Sequence, residues 1–341
     1  MIKLRYIYIG ITLALSALIL GACSPFYDDL SQCRDNYLAF SYYADDDTTV
    51  EHLPEYLHQI DLFIYNDQNA IVEQHKLTQA DLDRFQAPMK PGIKLDLAPG
   101  NYRAVAVGNL FGQSHLAGEG TYGSGAVVSH KDQPKAGGIV SSGFDSLYLG
   151  ECALQIVSAG RSENVLTFYS QHVQIDARLS CADAARASAW YADQKAKTFT
   201  LTMGAMPAAF SFKPSVDNPI EASRSGSLTF QRLPLARQDK ELRFGLQYNM
   251  LRFNTKDASA VVLKEGNKTL CTVDFSRYVS TAINSFMKAK QEGKKYQNSF
   301  YDCDRKRMMQ EAVIPLYFIQ KPVDMTVSVA PWTNNDTHPI F

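Results

Sequence analysis

Short runs of alternating apolar and polar residues recur along this chain, and that period of two constrains its fold more than any other feature. Leu38, Phe40 and Tyr42 alternate with Ala39, Ser41 and Tyr43, and Ile93, Leu95 and Leu97 with Lys94, Asp96 and Ala98. Near the end, Val323, Met325, Val327 and Val329 alternate with Asp324, Thr326, Ser328 and Ala330. Successive side chains of a strand point to opposite faces, so each run reads as a strand with one apolar face. The same pattern predicts strands over 165–169, 173–179, 199–203 and 244–250. Helical spacing is sustained over 276–290, where Val279, Ile283, Phe286 and Met287 share a face, and 81–85 adds a helical turn. Many short strands of this spacing predict an all-β fold of β-sandwich domains with a short helical insertion in the second, not an α/β enzyme core.

Turn chemistry divides the runs. Asn66-Asp67-Gln68-Asn69 ends the apolar run 60–65, and Pro99-Gly100-Asn101 predicts a hairpin from 93–97 into a strand over 102–107. Residues 110–138 are rich in glycine and serine and read as an extended loop. A length of 341 residues suits about two domains. The change falls near Ser170-Gln171, giving domains 23–170 and 171–341 after a leader of residues 1–22. With 34 basic and 35 acidic residues, the chain offers no electrostatic reason to expect a nucleic-acid partner.

The leader is a secretory signal. Lys3 and Arg5 precede an apolar stretch too short to span a bilayer, and Leu20-Gly21-Ala22-Cys23 ends it. Small residues directly before a cysteine resemble a bacterial lipobox, so Cys23 is expected to become the first mature residue and to carry lipid on its thiol. Acyl chains then supply the membrane attachment. The remaining chain is expected to fold in a compartment where disulfides form. Five further cysteines remain: Cys33, Cys152, Cys181, Cys271 and Cys303. Cys271 and Cys303 bracket the helical segment and are the first pairing expected. No CxxC spacing is present, so a zinc site is not expected.

The motifs that suggest chemistry are decoys. Gly118-Glu119-Gly120-Thr121-Tyr122-Gly123 fits GxGxxG literally, but a phosphate site needs those glycines to leave a strand and open a helix. Ser124, Gly125, Ser129 and Pro134 follow instead, and the segment reads as a flexible loop. The histidines show no ligand spacing, and Asp45-Asp46-Asp47 lacks a calcium-loop pattern, so it reads as a solvated charge run. No GxSxG elbow occurs. No cofactor, metal or catalytic residue is expected.

A series of segments resembles the FimB-type fimbrial anchor family of Bacteroidetes. Phe26-Tyr27-Asp28-Asp29-Leu30-Ser31-Gln32-Cys33 is similar to that family's mature start. Ile60-Asp61-Leu62-Phe63-Ile64-Tyr65-Asn66 resembles its "LFVYD" strand, and Leu97-Ala98-Pro99-Gly100-Asn101-Tyr102 with Gly108-Asn109 its "L-x-PG-x-Y … GN" segment. Leu147-Tyr148-Leu149-Gly150-Glu151, His172-Val173-Gln174-Ile175 and the run from Val323 to Trp332 match later strands in the family's order. Ala106-Val107 stands where relatives often have tryptophan.

The resemblance implies two transthyretin-like β-sandwiches in an outer-membrane lipoprotein. It also implies a role in holding type V fimbriae to the cell and limiting their length, with a major or minor fimbrillin as partner. Met325, Val327 and Val329 become candidates for an assembly strand, since edge strands pair with neighbouring subunits. Two alternatives remain: a shaft or tip subunit of the same superfamily, and a surface glycan-binding lipoprotein whose aromatics stack on sugars. Shaft subunits of that superfamily mature by an arginine-specific cut that removes the first strand. No arginine occurs between Arg34, expected before the first strand, and Arg84, beyond the second. The spacing therefore favours a subunit that keeps its first strand.

Overall fold

The computed structural model describes residues 34–44, 50–85, 92–123, 125–131, 139–140, 143–194, 196–207, 209–212, 224–229, 231–232, 243–253, 260–295, 298–321 and 327–329. The fold is all-β, built of packed sheets. Its first part contains β1 (Arg34–Tyr42), β2 (Gln59–Tyr65), β3 (Ile71–Thr78), β4 (Ile93–Leu95) and β5 (Gly100–Gly108). It continues with β6 (Ser114–Ala117), β7 (Val127–His130), β8 (Ile139–Val140), β9 (Tyr148–Ile156) and β10 (Gly160–Ser170). Helices α1 (Leu53–Tyr56) and α2 (Gln79–Phe85) lie between these strands.

One seven-stranded sheet runs β3-β2-β5-β9-β10-β1-β4. Leu77 from one edge strand and Ile93 and Leu95 from the other enter the same core, so the sheet curls on itself. The corner lies at β9 and β10. β9 pairs with β5 along its whole length, from Gly100↔Ile156 to Gly108↔Tyr148, but with β10 only through Gly150, Leu149 and Tyr148. A Cβ on Gly150 would stand 2.1 Å from Leu166 Cδ2, so the close approach at the corner requires glycine.

β2 is buried on both faces. Ile60, Leu62 and Ile64 point into the core inside the curled sheet, while Phe63 and Tyr65 face a second core. That is why 60–65 reads as a continuous apolar run rather than an alternation. The β2–β3 turn follows the expected chemistry: Asn66 Oδ1 accepts the N–H of Gln68 (3.0 Å) and Ala70 (2.9 Å), and Asn69 takes a left-handed φ of 61°.

The second part holds β11 (His172–Cys181), β12 (Phe199–Met206), β13 (Ala209–Ser211), β14 (Arg224–Thr229), β15 (Gln231–Arg232) and β16 (Arg243–Leu251). β17 (Ala260–Glu265), β18 (Lys268–Asp274), β19 (Tyr301–Asp302), β20 (Arg307–Met308), β21 (Val313–Gln320) and β22 (Val327–Val329) follow, with helices α3 (Ala187–Gln194) and α4 (Phe275–Gln291). Sheets β15-β16-β11-β21-β22 and β18-β17-β12-β14-β8 contribute to one core that includes Ile175, Leu179, Leu201, Leu263, Ile314 and Phe318. β8 comes from the first part of the chain and pairs with β14. β13 returns the exchange by pairing with β7.

Helix α4 starts where Asp274 caps it, its side chain accepting the Arg277 N–H at 2.9 Å. Val279, Ala282, Phe286 and Ala289 repeat at helical spacing and are fully buried. Lys288 and Lys290 lie in the last turn, at the negative end of the helix dipole, and Gly293 takes φ 65° just beyond it.

Four expectations are corrected. Strands β4 and β5 do not form a hairpin: β4 pairs with β1, and β5 lies between β2 and β9. The stretch 110–138 is not wholly loop, because β6 and β7 pair within it and β13 extends their sheet. Arg34 does not precede the first strand but begins it, opposite Gly160. Cys271 and Cys303 are both free. Cys271 precedes the start of α4, whereas Phe286 against Phe300 (5.6 Å between rings) and the Lys290–Asp304 ion pair hold the Cys303 segment by its far half. A helix of this length carries the chain about 25 Å, so bracketing it in sequence does not bring two cysteines together.

Candidate functional site

The chain passes from β10 to β11 through Gln171, and a polar network ties the two parts together around that step. The Ser170 N–H donates to Gln310 Oε1 (2.9 Å), the Gln171 N–H to the Leu147 carbonyl (2.8 Å), and the Arg252 N–H to the Gln171 carbonyl (3.0 Å). The Arg252 guanidinium donates to the carbonyls of Met308 (3.3 Å), Met309 and Gln310 (2.7 Å). These bonds fix the segment before β21 and hold Glu311 in place.

Glu311 is the centre. Its carboxylate accepts hydrogen bonds from the Tyr42 hydroxyl of β1 and the Tyr148 hydroxyl of β9, the latter at 2.9 Å. His172 stands edge-on to Tyr148, 5.3 Å between rings, with Nε2 3.7 Å from Glu311. His172 Nδ1 lies 3.1 Å from the Leu147 carbonyl, which only accepts, so the imidazole proton belongs on Nδ1. Burial, followed by the Glu311 charge, pushes both tyrosine hydroxyls far above their ordinary range. Burial lowers His172, opposed in part by Glu311. At neutral pH the group is thus a carboxylate bonded by two neutral phenols beside a neutral imidazole. It is a clamp between the first and second parts of the chain.

A cleft of about 390 Å³ opens beside the clamp, lined among others by Tyr56, Phe111, Gln174, Asn249 and Glu311. One wall is the loop after β5. Asn109 takes φ 64° and accepts the His58 N–H (2.8 Å) on Oδ1, while its Nδ2 donates to the Tyr56 carbonyl (2.7 Å). Gly108 before it is closely packed, since a Cβ would lie 2.9 Å from Leu57 Cδ2 and 3.2 Å from Tyr148 Cβ. Buried Asp145 then accepts four successive N–H groups on one oxygen, from Phe111, Gly112, Gln113 and Ser114 at 2.9–3.2 Å.

The GxGxxG segment joins β6 to β7 and opens no helix. It is tied down rather than flexible: the Tyr65 hydroxyl donates to the Glu119 carbonyl (2.6 Å), and Tyr122 bonds Glu151 (2.9 Å) under the Arg103 guanidinium.

Cys23, Cys33, Met325 and Asp45-Asp46-Asp47 lie outside the described residues. Val327 and Val329 belong to β22, an edge strand paired antiparallel to β21 through Gln320 and Phe318. Sequence reading missed Glu311, Arg252 and Asp145, whose partners are remote in the chain. His172, Tyr148 and Asn109 fall inside the segments that resemble the fimbrial family, and that was the available signal.

Sheets packed on one another and joined by the Glu311 clamp define an all-β protein of the sandwich type. Residues 30–338 match the family model for fimbrillin-A associated anchor proteins Mfa1 and Mfa2. The chain belongs to this family, which associates it with fimbriae at the cell surface. Among curated proteins no sequence matches significantly. Among solved structures, the chain is similar to a candidate adhesin from Bacteroides thetaiotaomicron VPI-5482, with TM-score 0.60 and 17% identity over 89% of this chain and 98% of that one. A candidate polysaccharide-binding protein of the same organism has TM-score 0.59 and 11% identity, covering 89% and 98%. The fimbrial anchor protein Mfa2 from Porphyromonas gingivalis has TM-score 0.54 and 10% identity, covering 89% and 99%. At these identities the likeness establishes the fold alone.

Proposed function

We propose that this protein is the base subunit of a type V fimbrium, an outer-membrane lipoprotein that anchors the fibre and limits its length. Family membership supports the association with fimbriae. The observation that carries the finer reading is the place of β1. This strand pairs in parallel with β10 from Arg34↔Gly160 to Tyr42↔Phe168, and antiparallel with β4. Leu38 and Tyr42 are fully buried, and Tyr42 bonds Glu311. Removing β1 would open the first core and break the clamp together. A subunit that must shed its first strand to polymerise is poorly served by that arrangement. One that keeps it, with lipid on Cys23 just upstream, holds its own groove filled and ends the series at the membrane.

On this reading the mature chain divides into domains 23–170 and 171–341, a major or minor fimbrillin is the partner, and no catalytic step is involved. Met325, Val327 and Val329 remain the proposed assembly face. Deleting the gene and imaging the fimbriae tests the role. Long, shed fibres are expected, and fibres of unchanged length and attachment would contradict it.

A further inference from the structure

Phe111 is 56% exposed, although the loop that carries it is firmly held by the four amide bonds to Asp145 and by Asn109. A solitary exposed apolar side chain needs no explanation. This one lines a cleft, and a preorganised loop reduces the ordering cost of binding through it. The cleft is in the size range of small-molecule sites and presents a second aromatic wall in Tyr56.

The rest of the lining selects the ligand. Glu55 and Glu311 bring negative charge, and no lysine or arginine lines the cleft among the described residues, so anions are disfavoured. Gln174, half-buried, has a side-chain amide with no hydrogen-bond partner among the described residues, and Asn249 offers a second amide, oriented by Ser146 at 2.9 Å. Amides bond hydroxyl groups as both donor and acceptor. Apolar ring faces flanked by amides and a carboxylate suit a molecule with a C–H face and a rim of hydroxyls. We infer that this cleft binds a neutral saccharide, one pyranose ring stacking on Phe111 with its hydroxyls directed to Gln174 and Asn249.

The test is saturation-transfer NMR on the full chain in a sugar-free zwitterionic detergent. The probes are glucose, galactose, N-acetylglucosamine, N-acetylgalactosamine and lactose, with sialyllactose as the anionic comparison. Transfer to the ring protons of at least one neutral sugar is expected, with about tenfold weaker binding for Phe111→Ala and Gln174→Ala and retention in Phe111→Trp. An unchanged thermal midpoint shows that the variants fold. Absence of transfer to every neutral sugar, unchanged binding by folded Phe111→Ala, or preference for sialyllactose would overturn the inference. Because the assay uses isolated protein, its failure leaves the anchoring role intact, and loss of anchoring leaves saccharide binding intact.

Discussion

Asp145 is a buried carboxylate balanced by backbone amides rather than by a cation, and the Phe111–Ser114 turn depends on it. Asp145→Ala removes the acceptor shared by four amides, of which Phe111 keeps the Asn109 carbonyl, and should destabilise the protein by about 3 kcal/mol. Hydrogen exchange should accelerate at amides 111–114, and unchanged protection there would contradict this account. The Glu311 clamp makes a pH prediction. Unfolded imidazole takes its proton near pH 6.5, but buried His172 takes it only at lower pH. Below about pH 6.5 the unfolded state therefore binds more protons, and stability falls with acidification until pH passes the folded value. Denaturant titrations from pH 7 to 5 should show a shallower loss for His172→Gln than for wild type. Tyr42 and Tyr148 act at the other end. Their raised values stabilise the fold below the unfolded tyrosine range near pH 10, and that contribution is lost as pH rises beyond it.

Among the elements, α4 was legible in advance because its cap and its 3.6-residue stripe agree. Phe286 is fully buried against Phe300, and Phe286→Ala should cost about 3–5 kcal/mol, measured by chemical denaturation. A loss below about 1 kcal/mol would mean that the helix is not part of the core. Strands with one apolar face were equally readable, as β1 and β11 show, although β11 is buried on its polar face too, at His172, Asp176 and Ser180. Pairing was not. Pro99-Gly100-Asn101 has hairpin chemistry, yet β5 finds partners in β2 and β9, because long-range pairing in a curled sheet outweighs a local turn signal. β17 and β18 escaped notice although Gly266, at φ 55°, begins the two-residue turn between them, since their outward positions alternate weakly. β21 was hidden by Pro315, which is accommodated where β22 does not pair. The Glu311 clamp joins residues 269 positions apart, a distance at which no spacing rule operates.

For the whole molecule, the Glu311 clamp gives a path of direct contact from β1 to the segment before β21, and the exchanged strands β8 and β13 join the two parts elsewhere. In the proposed role that path runs between the membrane and the fibre. No helix among the described residues is long and apolar enough to cross a membrane; the proposed role places the attachment in lipid on Cys23. Cys23→Ala should move the protein from the membrane fraction to the soluble fraction; continued partition with outer membranes would contradict the lipid assignment. The most direct test of the anchor reading is amino-terminal mass analysis of the protein recovered from assembled fimbriae. A start at lipidated Cys23 with β1 intact is predicted, whereas a start between Asn36 and Gln86 would make this a polymerising subunit and contradict the account.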